Sequence, residues 1–170
     1  MVKESFMRRR YLWVAIIVGI VLVIDQFTKY IVEKHIRLHE IITVIPGFFN
    51  LTHVRNPGAA FSLFSAAPES FRTIFFTTVT IIAVVVIIVL IRKTHEQLML
   101  FAFALIMGGA LGNAIDRIRY GEVVDFIQWY FRSFYWPSFN IADSAITMAV
   151  VLLVINLLFV KKPPDSIKSA

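Results

Sequence analysis

The sequence has no cysteine among its 170 residues. That absence removes disulfides, thiolate metal sites and a cysteine nucleophile, so any chemistry must come from carboxylates, amides, hydroxyls or histidines. Acids are scarce too: 11 Asp and Glu stand against 17 Lys and Arg, for a net charge of +6. A basic excess can serve nucleic acid, but these cations form no aromatic-interleaved stretch and most of them flank apolar runs. Nucleic-acid binding is therefore set aside. Internal repeats and low-complexity segments are missing as well, which argues against the repeated halves typical of transporters.

Apolar residues are abundant. Hydrophobic residues make up 58% of the chain and the mean hydropathy is +0.76, above the roughly 45–50% apolar share of soluble domains. Four uninterrupted apolar runs, at about 12–30, 73–91, 97–115 and 141–160, each approach the ~20 residues that cross a ~30 Å hydrocarbon layer. They predict an all-α membrane protein of four transmembrane helices, organised as a single membrane domain over 1–170. Nine of the cations lie before the first run (Lys3, Arg8, Arg9, Arg10), between the second and third (Arg92, Lys93) and after the fourth (Lys161, Lys162, Lys168). By the positive-inside bias both termini are expected in the cytoplasm, with the long connections 31–72 and 116–140 outside. The basic opening "MVKESFMRRRYLW" leads into an apolar core with no small-x-small cleavage site, and reads as a retained first helix.

The polar residues inside these apolar surroundings carry the chemistry. In "DQFTK", Asp25 and Lys29 are four residues apart on one helical face, the spacing of a self-neutralising structural pair; a direct catalytic role is the minor alternative. His35 and His39 share the i, i+4 spacing of some metal pairs, but without HExxH they are expected to hold no metal. "IITVIPGFFNLTHV" is β-branched and aromatic around Pro46 and Gly47, and predicts strands joined by a turn. Next, "RNPGAAFSLF" offers the Asn56 amide and Gly58 in what is either a plain turn or part of a site. In "LIMGGALGNAIDRIRYGEVVDF", Ala104, Gly108 and Gly112 form a small-residue face for close helix packing, followed by Asn113, Asp116 and Arg117. Asp125 sits between apolar Val124 and Phe126, a poor setting for a mere solubility charge. Finally "QWYFRSFYWPSFN", an interfacial aromatic belt or a guide for a lipid-bearing ligand, leads to Asn140 and to Asp143 at the mouth of the last helix.

Consecutive third and fourth helices are antiparallel, so the 17 residues between Asp125 and Asp143 can bring both carboxylates to the outer membrane surface. Two carboxylates in one partly desolvated site share a proton, and such a pair can activate water with one member and polarise a carbonyl with the other. The ordered blocks "DQFTK", "NPGAAFS", "GGALGNAIDR", "GEVVDF" and "FNIADSAI" resemble the motif series of the lipoprotein signal peptidases, bacterial signal peptidase II, across nearly the whole chain. That resemblance implies four transmembrane helices with a small extracytoplasmic β-sheet cradle and a short amphipathic interfacial helix, in the bacterial inner membrane. Asp125 and Asp143 match the catalytic dyad; Asn56, Gly58, Asn113, Arg117 and Asn140 match residues that line or brace the pocket; Asp25, Lys29 and Asp116 match structural support. The implied substrate is a diacylglyceryl-modified prolipoprotein, cut just before its lipidated cysteine by a monomeric enzyme that uses no metal or other cofactor, contacts membrane lipid and is blocked by globomycin-like cyclic peptides. Two readings compete. A generic intramembrane aspartyl peptidase calls for a Gly-x-Gly-Asp motif, which is absent, and a small proton-coupled transporter would relay protons through Asp25, Asp116, Asp125 and Asp143.

Overall fold

The computed structural model describes residues 2–58, 64 and 66–159, with side chains from Arg9 onward. Four long helices run α1 (Val2–His35), α2 (Glu69–Lys93), α3 (Gln97–Tyr120) and α4 (Ile141–Phe159). Each contains a stretch long and apolar enough to cross a membrane. Between them lie strands β1 (Ile41–Ile45), β2 (Phe49–Asn56), β3 (Val123–Phe131) and β4 (Phe134–Tyr135), joined in the order β1-β2-β3-β4. All neighbouring strands are antiparallel. Val160 and the basic tail lie outside the described residues, as does the whole "AAFS" segment after Gly58. No further helix is present among the described residues, so the short amphipathic helix has no counterpart there.

The helices outrun the apolar stretches that announced them. α3 continues past Ile115 for more than a turn because Asp116 and Arg117 find partners inside the protein and have no need of water. It ends at Gly121, whose left-handed φ of 73° lets its N–H bond back to the Arg117 carbonyl at 2.9 Å. α1, at 34 residues, is about 50 Å long and so overshoots the hydrocarbon at one or both ends.

α3 is the central helix and packs against α1, α2 and α4. Its small-residue face lies against α1: a Cβ on Gly108 would stand 2.8 Å from Val21 Cβ, and one on Gly112 only 2.7 Å from Asp25 Oδ2. The GxxxG spacing thus lets a charged residue of α1 reach the bundle interior. Val14, Val18, Ile87, Ile91, Phe103 and Ala104 pack where α1, α2 and α3 meet. On the other side Val21, Ala102, Leu105, Ala145 and Ala149 join α1 and α3 to α4. A third cluster, Val32 and Ile36 with Val124 and Phe126, fixes the sheet to the C-terminal end of α1. Sheet and bundle are therefore held in register by α1 and α3 together.

Candidate active site

In an extended strand successive side chains point to opposite faces. Val124 and Phe126 use one face of β3 to grip α1, so Asp125 between them turns to the other face, opposite Val54 of β2. It is 2% exposed. After β4 the chain returns across the same strand: Phe126 and Ile127 donate their N–H groups to the Phe139 carbonyl at 3.0 and 2.8 Å, and Phe139 donates back to Ile127 at 3.0 Å. This short pairing delivers Asn140 and the start of α4 to the side of Asp125.

Asn140 joins the two acids. Its Oδ1 accepts the Asp143 N–H at 2.9 Å while its own N–H donates to Asp143 Oδ2 at 3.3 Å, a reciprocal cap of the α4 N-terminus. Its Nδ2 donates to Asp125 Oδ1 at 2.8 Å, to Asn113 Oδ1 at 3.1 Å and to the Val124 carbonyl at 3.3 Å. The remaining carboxylate oxygens are held by two further amides: Asn56 Nδ2 donates to Asp125 Oδ2 at 2.9 Å, and Asn113 Nδ2 donates to Asp143 Oδ1 at 2.7 Å. Neither acid forms an ion pair among the described residues. Burial pushes the Asp125 carboxyl up to about 7, and the neighbouring charge of Asp143 adds to that rise. The amides of Asn56 and Asn140 and the charge of Lys29 hold it back.

Beneath the pair lies a buried charged cluster. Lys29 Nζ is 2.8 Å from Asp25 Oδ2 and 2.8 Å from Asp116 Oδ2, and it donates to Asn113 Oδ1 at 3.1 Å. Asp25 Oδ1 accepts the Ala142 N–H at 2.9 Å and Asp116 Oδ2 the Val124 N–H at 3.2 Å, so these acids tie α1 and α3 to α4 and β3. A buried ion pair repays its desolvation only when its remaining hydrogen-bonding groups are satisfied, as they are here. The sequence-level pair of Asp25 and Lys29 is thus the core of a larger braced unit. Arg117 Nη2 donates to the Gly58 carbonyl at 3.0 Å, and the guanidinium lies over the Phe76 ring, 4.3 Å from its centre. Gly58 in turn donates its N–H to Asn56 Oδ1 at 3.0 Å, which orients the amide that holds Asp125.

Asp125 and Asp143 open into one cavity of about 1110 Å³, shared with Asn56, Asn113 and Arg117 and rimmed by Phe48, Phe49, Trp129, Trp136 and Phe139. The catalytic and supporting residues expected from the sequence therefore meet at one end of the bundle, beside the sheet. His35 and His39 do not join them. α1 ends at His35, whose Nδ1 lies 2.9 Å from the Ile31 carbonyl, and His39 has a positive φ of 66° beyond the helix. No cluster of three or more His, Asp or Glu spaced to hold a metal ion occurs among the described residues.

With this geometry in view, the comparisons with known proteins are specific. The family model described as signal peptidase (SPase) II matches residues 17–159. The chain belongs to the signal peptidase II family. Its relatives include the lipoprotein signal peptidase of Syntrophus aciditrophicus, 46% identical over 154 residues that cover 89% of this chain and 96% of that one. That of Geobacter metallireducens is 42% identical, covering 89% and 94%. A solved structure described as a bacterial membrane enzyme superposes with a TM-score of 0.77 at 39% identity, covering 85% of this chain and 87% of that one. A second, described in the same words, gives 0.76 at 37% identity, covering 87% and 94%. Membership of the signal peptidase II family makes the chain a multi-pass membrane protein and a protease.

Three contributors around this signal peptidase II site escaped the sequence reading. Gln26 Nε2 donates to Asp116 Oδ1 at 2.9 Å and to Asp25 Oδ2 at 3.2 Å, bridging α1 and α3. Its position beside Asp25 in "DQFTK" was the available signal. Arg55, on the cavity wall, pairs with Glu33 and stacks 4.3 Å from the centre of the Tyr120 ring. Phe76 supports Arg117 from a helix whose sequence reads as uniform lipid-facing apolarity.

Proposed function

We propose that this chain is an aspartic-type lipoprotein signal peptidase, in which Asp125 and Asp143 hydrolyse the peptide bond before the diacylglyceryl-modified cysteine of a prolipoprotein. The observation that carries this reading is the pair itself: a buried carboxylate, Asp125, and a half-buried one, Asp143, from separate elements, both bridged by Asn140, each held by a further amide and neither ion-paired among the described residues. Asp125 keeps the shared proton and donates it toward the scissile carbonyl oxygen, while Asp143 as carboxylate takes a proton from water. The water oxygen bonds to the carbonyl carbon to give a gem-diol. Asp143 then returns its proton to the leaving nitrogen and Asp125 recovers one from the gem-diol as the C–N bond breaks. Asp125 ends protonated and Asp143 ionised, as they began, and one proton of the water leaves on the amine. Arg117 and the amides of Asn56 and Asn113 orient the substrate backbone, and Asp25, Lys29 and Asp116 keep the helices in place around it.

The aromatic rim suits a substrate whose acyl chains remain in the bilayer while its peptide enters the cavity. The distribution of cations supports an orientation with both termini in the cytoplasm and the sheet end outside, in the inner membrane. The chain acts as one membrane-embedded unit, a monomer, and globomycin-like cyclic peptides compete for the same cavity. The test is cleavage of a diacylglyceryl-modified prolipoprotein and its unlipidated twin by purified protein. The lipidated form alone is expected to be cut; equal cleavage of both would favour a generic aspartyl peptidase, and proton flux in vesicles without cleavage a transporter.

The pH profile follows from the shared proton. The raised carboxyl of Asp125 is protonated below about 7, so kcat/KM is expected to fall about tenfold per pH unit above that value. At low pH both acids are protonated and the base is lost, which closes the other side of a bell. Stability has a definite sign as well. Between the ordinary aspartate value of 3.8 and about 7 the folded chain holds more protons at Asp125 than the unfolded one, so its contribution is full below that window and is lost as pH rises through it. Initial rates against pH at several substrate concentrations check the first expectation, and thermal midpoints across the same range the second.

A further inference from the structure

A second cleft opens at the end of the bundle away from the sheet. α1 and α2 each pack on α3, but their mutual contact is slight. The gap is a groove of about 450 Å³ lined by Val18, Gly19 and Leu22 of α1, Ile88 and Ile91 of α2, and Met107 of α3. Its volume falls within the roughly 300–1,000 Å³ of small-molecule sites, yet its walls offer almost nothing to a polar ligand. Gly19 keeps it wide: no atom lies within 4 Å of where a Cβ would stand.

Tyr11 also lines the groove, and the guanidinium of Arg10 lies 5.2 Å from the centre of its ring. An arginine that serves only topology extends into water, whereas Arg10 is 7% exposed. Its Nη1 donates to the Thr94 carbonyl at 2.8 Å and lies 3.4 Å from His95 Nδ1; its Nη2 donates to the Arg92 carbonyl at 3.4 Å. The buried Nε has no partner among the described residues. Exposed Arg9, Arg92 and Lys93 surround this end. Its one nearby acid in α3 and the turn before it, Glu96, is engaged by Asn156 of α4 at 3.0 Å.

We propose that this cleft holds one acyl chain of an anionic phospholipid, with its phosphate at Arg10 under the field of Arg9, Arg92 and Lys93. A guanidinium fork matches phosphate oxygens, and basic pockets between transmembrane helices retain anionic head groups. A zwitterionic lipid supplies the same phosphate but brings its own cation into a cluster of cations. The bound chain supplies the packing that α1 and α2 do not give each other, far from the peptidase site.

Native mass spectrometry of the purified protein tests this, with palmitoyl-oleoyl phosphatidylglycerol and the phosphatidylcholine of the same chains as competing probes. One phosphatidylglycerol per chain is expected to be retained in preference to phosphatidylcholine. Gly19→Leu, which fills the groove without a clash at Cβ, is expected to abolish that retention. The double variant Arg92→Gln and Lys93→Gln lowers it at least about fivefold, the effect of a single basic residue near an anionic surface, and stands as the test if Gly19→Leu does not fold. Equal retention of the two lipids, or undiminished phosphatidylglycerol on a folded variant, would overturn the proposal.

Discussion

Asp125→Asn and Asp143→Asn are each expected to lower kcat on lipidated prolipoprotein by at least about 10³-fold, within the 10²–10⁴-fold range of a lost general acid or base and compounded by the loss of the shared proton. An amide can neither take a proton from water nor pass one to a carbonyl. The fold should survive both changes because Asn is nearly isosteric with Asp. At position 143 the new amide can still accept from the Asn140 N–H, giving up the bond with one donor at a cost of about 1 kcal/mol. At position 125 it likewise loses one of the donors Asn56 and Asn140, but above pH 7 it also relieves the burial of a charge, so the thermal midpoint should be unchanged or slightly higher there. Circular dichroism and thermal unfolding in detergent establish the fold, and steady-state rates with KM measured separately give the loss. A well-folded variant that keeps a tenth of wild-type kcat would remove Asp125 or Asp143 from the chemistry.

Much of this site could be read from the sequence because membrane segments leave a polar residue few innocent explanations. Asp125 stood out between Val124 and Phe126, and Asp143 at the head of an apolar helix, since each carries charge into surroundings that penalise it. The structure places these residues in β3, whose alternation turns Asp125 away from the face that packs on α1. Helix ends were less legible. Hydropathy marks where a helix meets lipid, whereas α3 continues through Asp116 and Arg117 because their partners, Lys29 and Gly58, are distant in sequence. Gln26, Arg55 and Phe76 were missed for that reason. Their contacts span 90, 22 and 41 residues of chain, to Asp116, Glu33 and Arg117, and apart from the place of Gln26 beside Asp25 no local pattern points to them.

Asn140→Ala is expected to combine a large loss of activity with a real loss of stability. Removing the side chain takes away the cap on the Asp143 N–H, worth about 1 kcal/mol, and leaves the buried Asp125 Oδ1 without a donor, at about 1–3 kcal/mol if unrelieved, while Asn113 Oδ1 keeps the Lys29 ammonium. Relaxation and entering water offset part of this, so a net loss of about 1–3 kcal/mol is expected in thermal unfolding. Activity should fall by about 10²-fold or more even at saturating substrate, because among the described residues Asn140 alone touches both acids and a displacement of about 1 Å is enough for such a loss. Asn140→Ser separates the two effects. Its hydroxyl can cap the Asp143 N–H but is too short to bridge to Asp125, so about 1 kcal/mol of stability should return while kcat stays low. Were Ser to restore turnover along with the cap, Asn140 would act only by starting α4, and the alignment of Asp125 with Asp143 would rest on Asn56 and Asn113 alone.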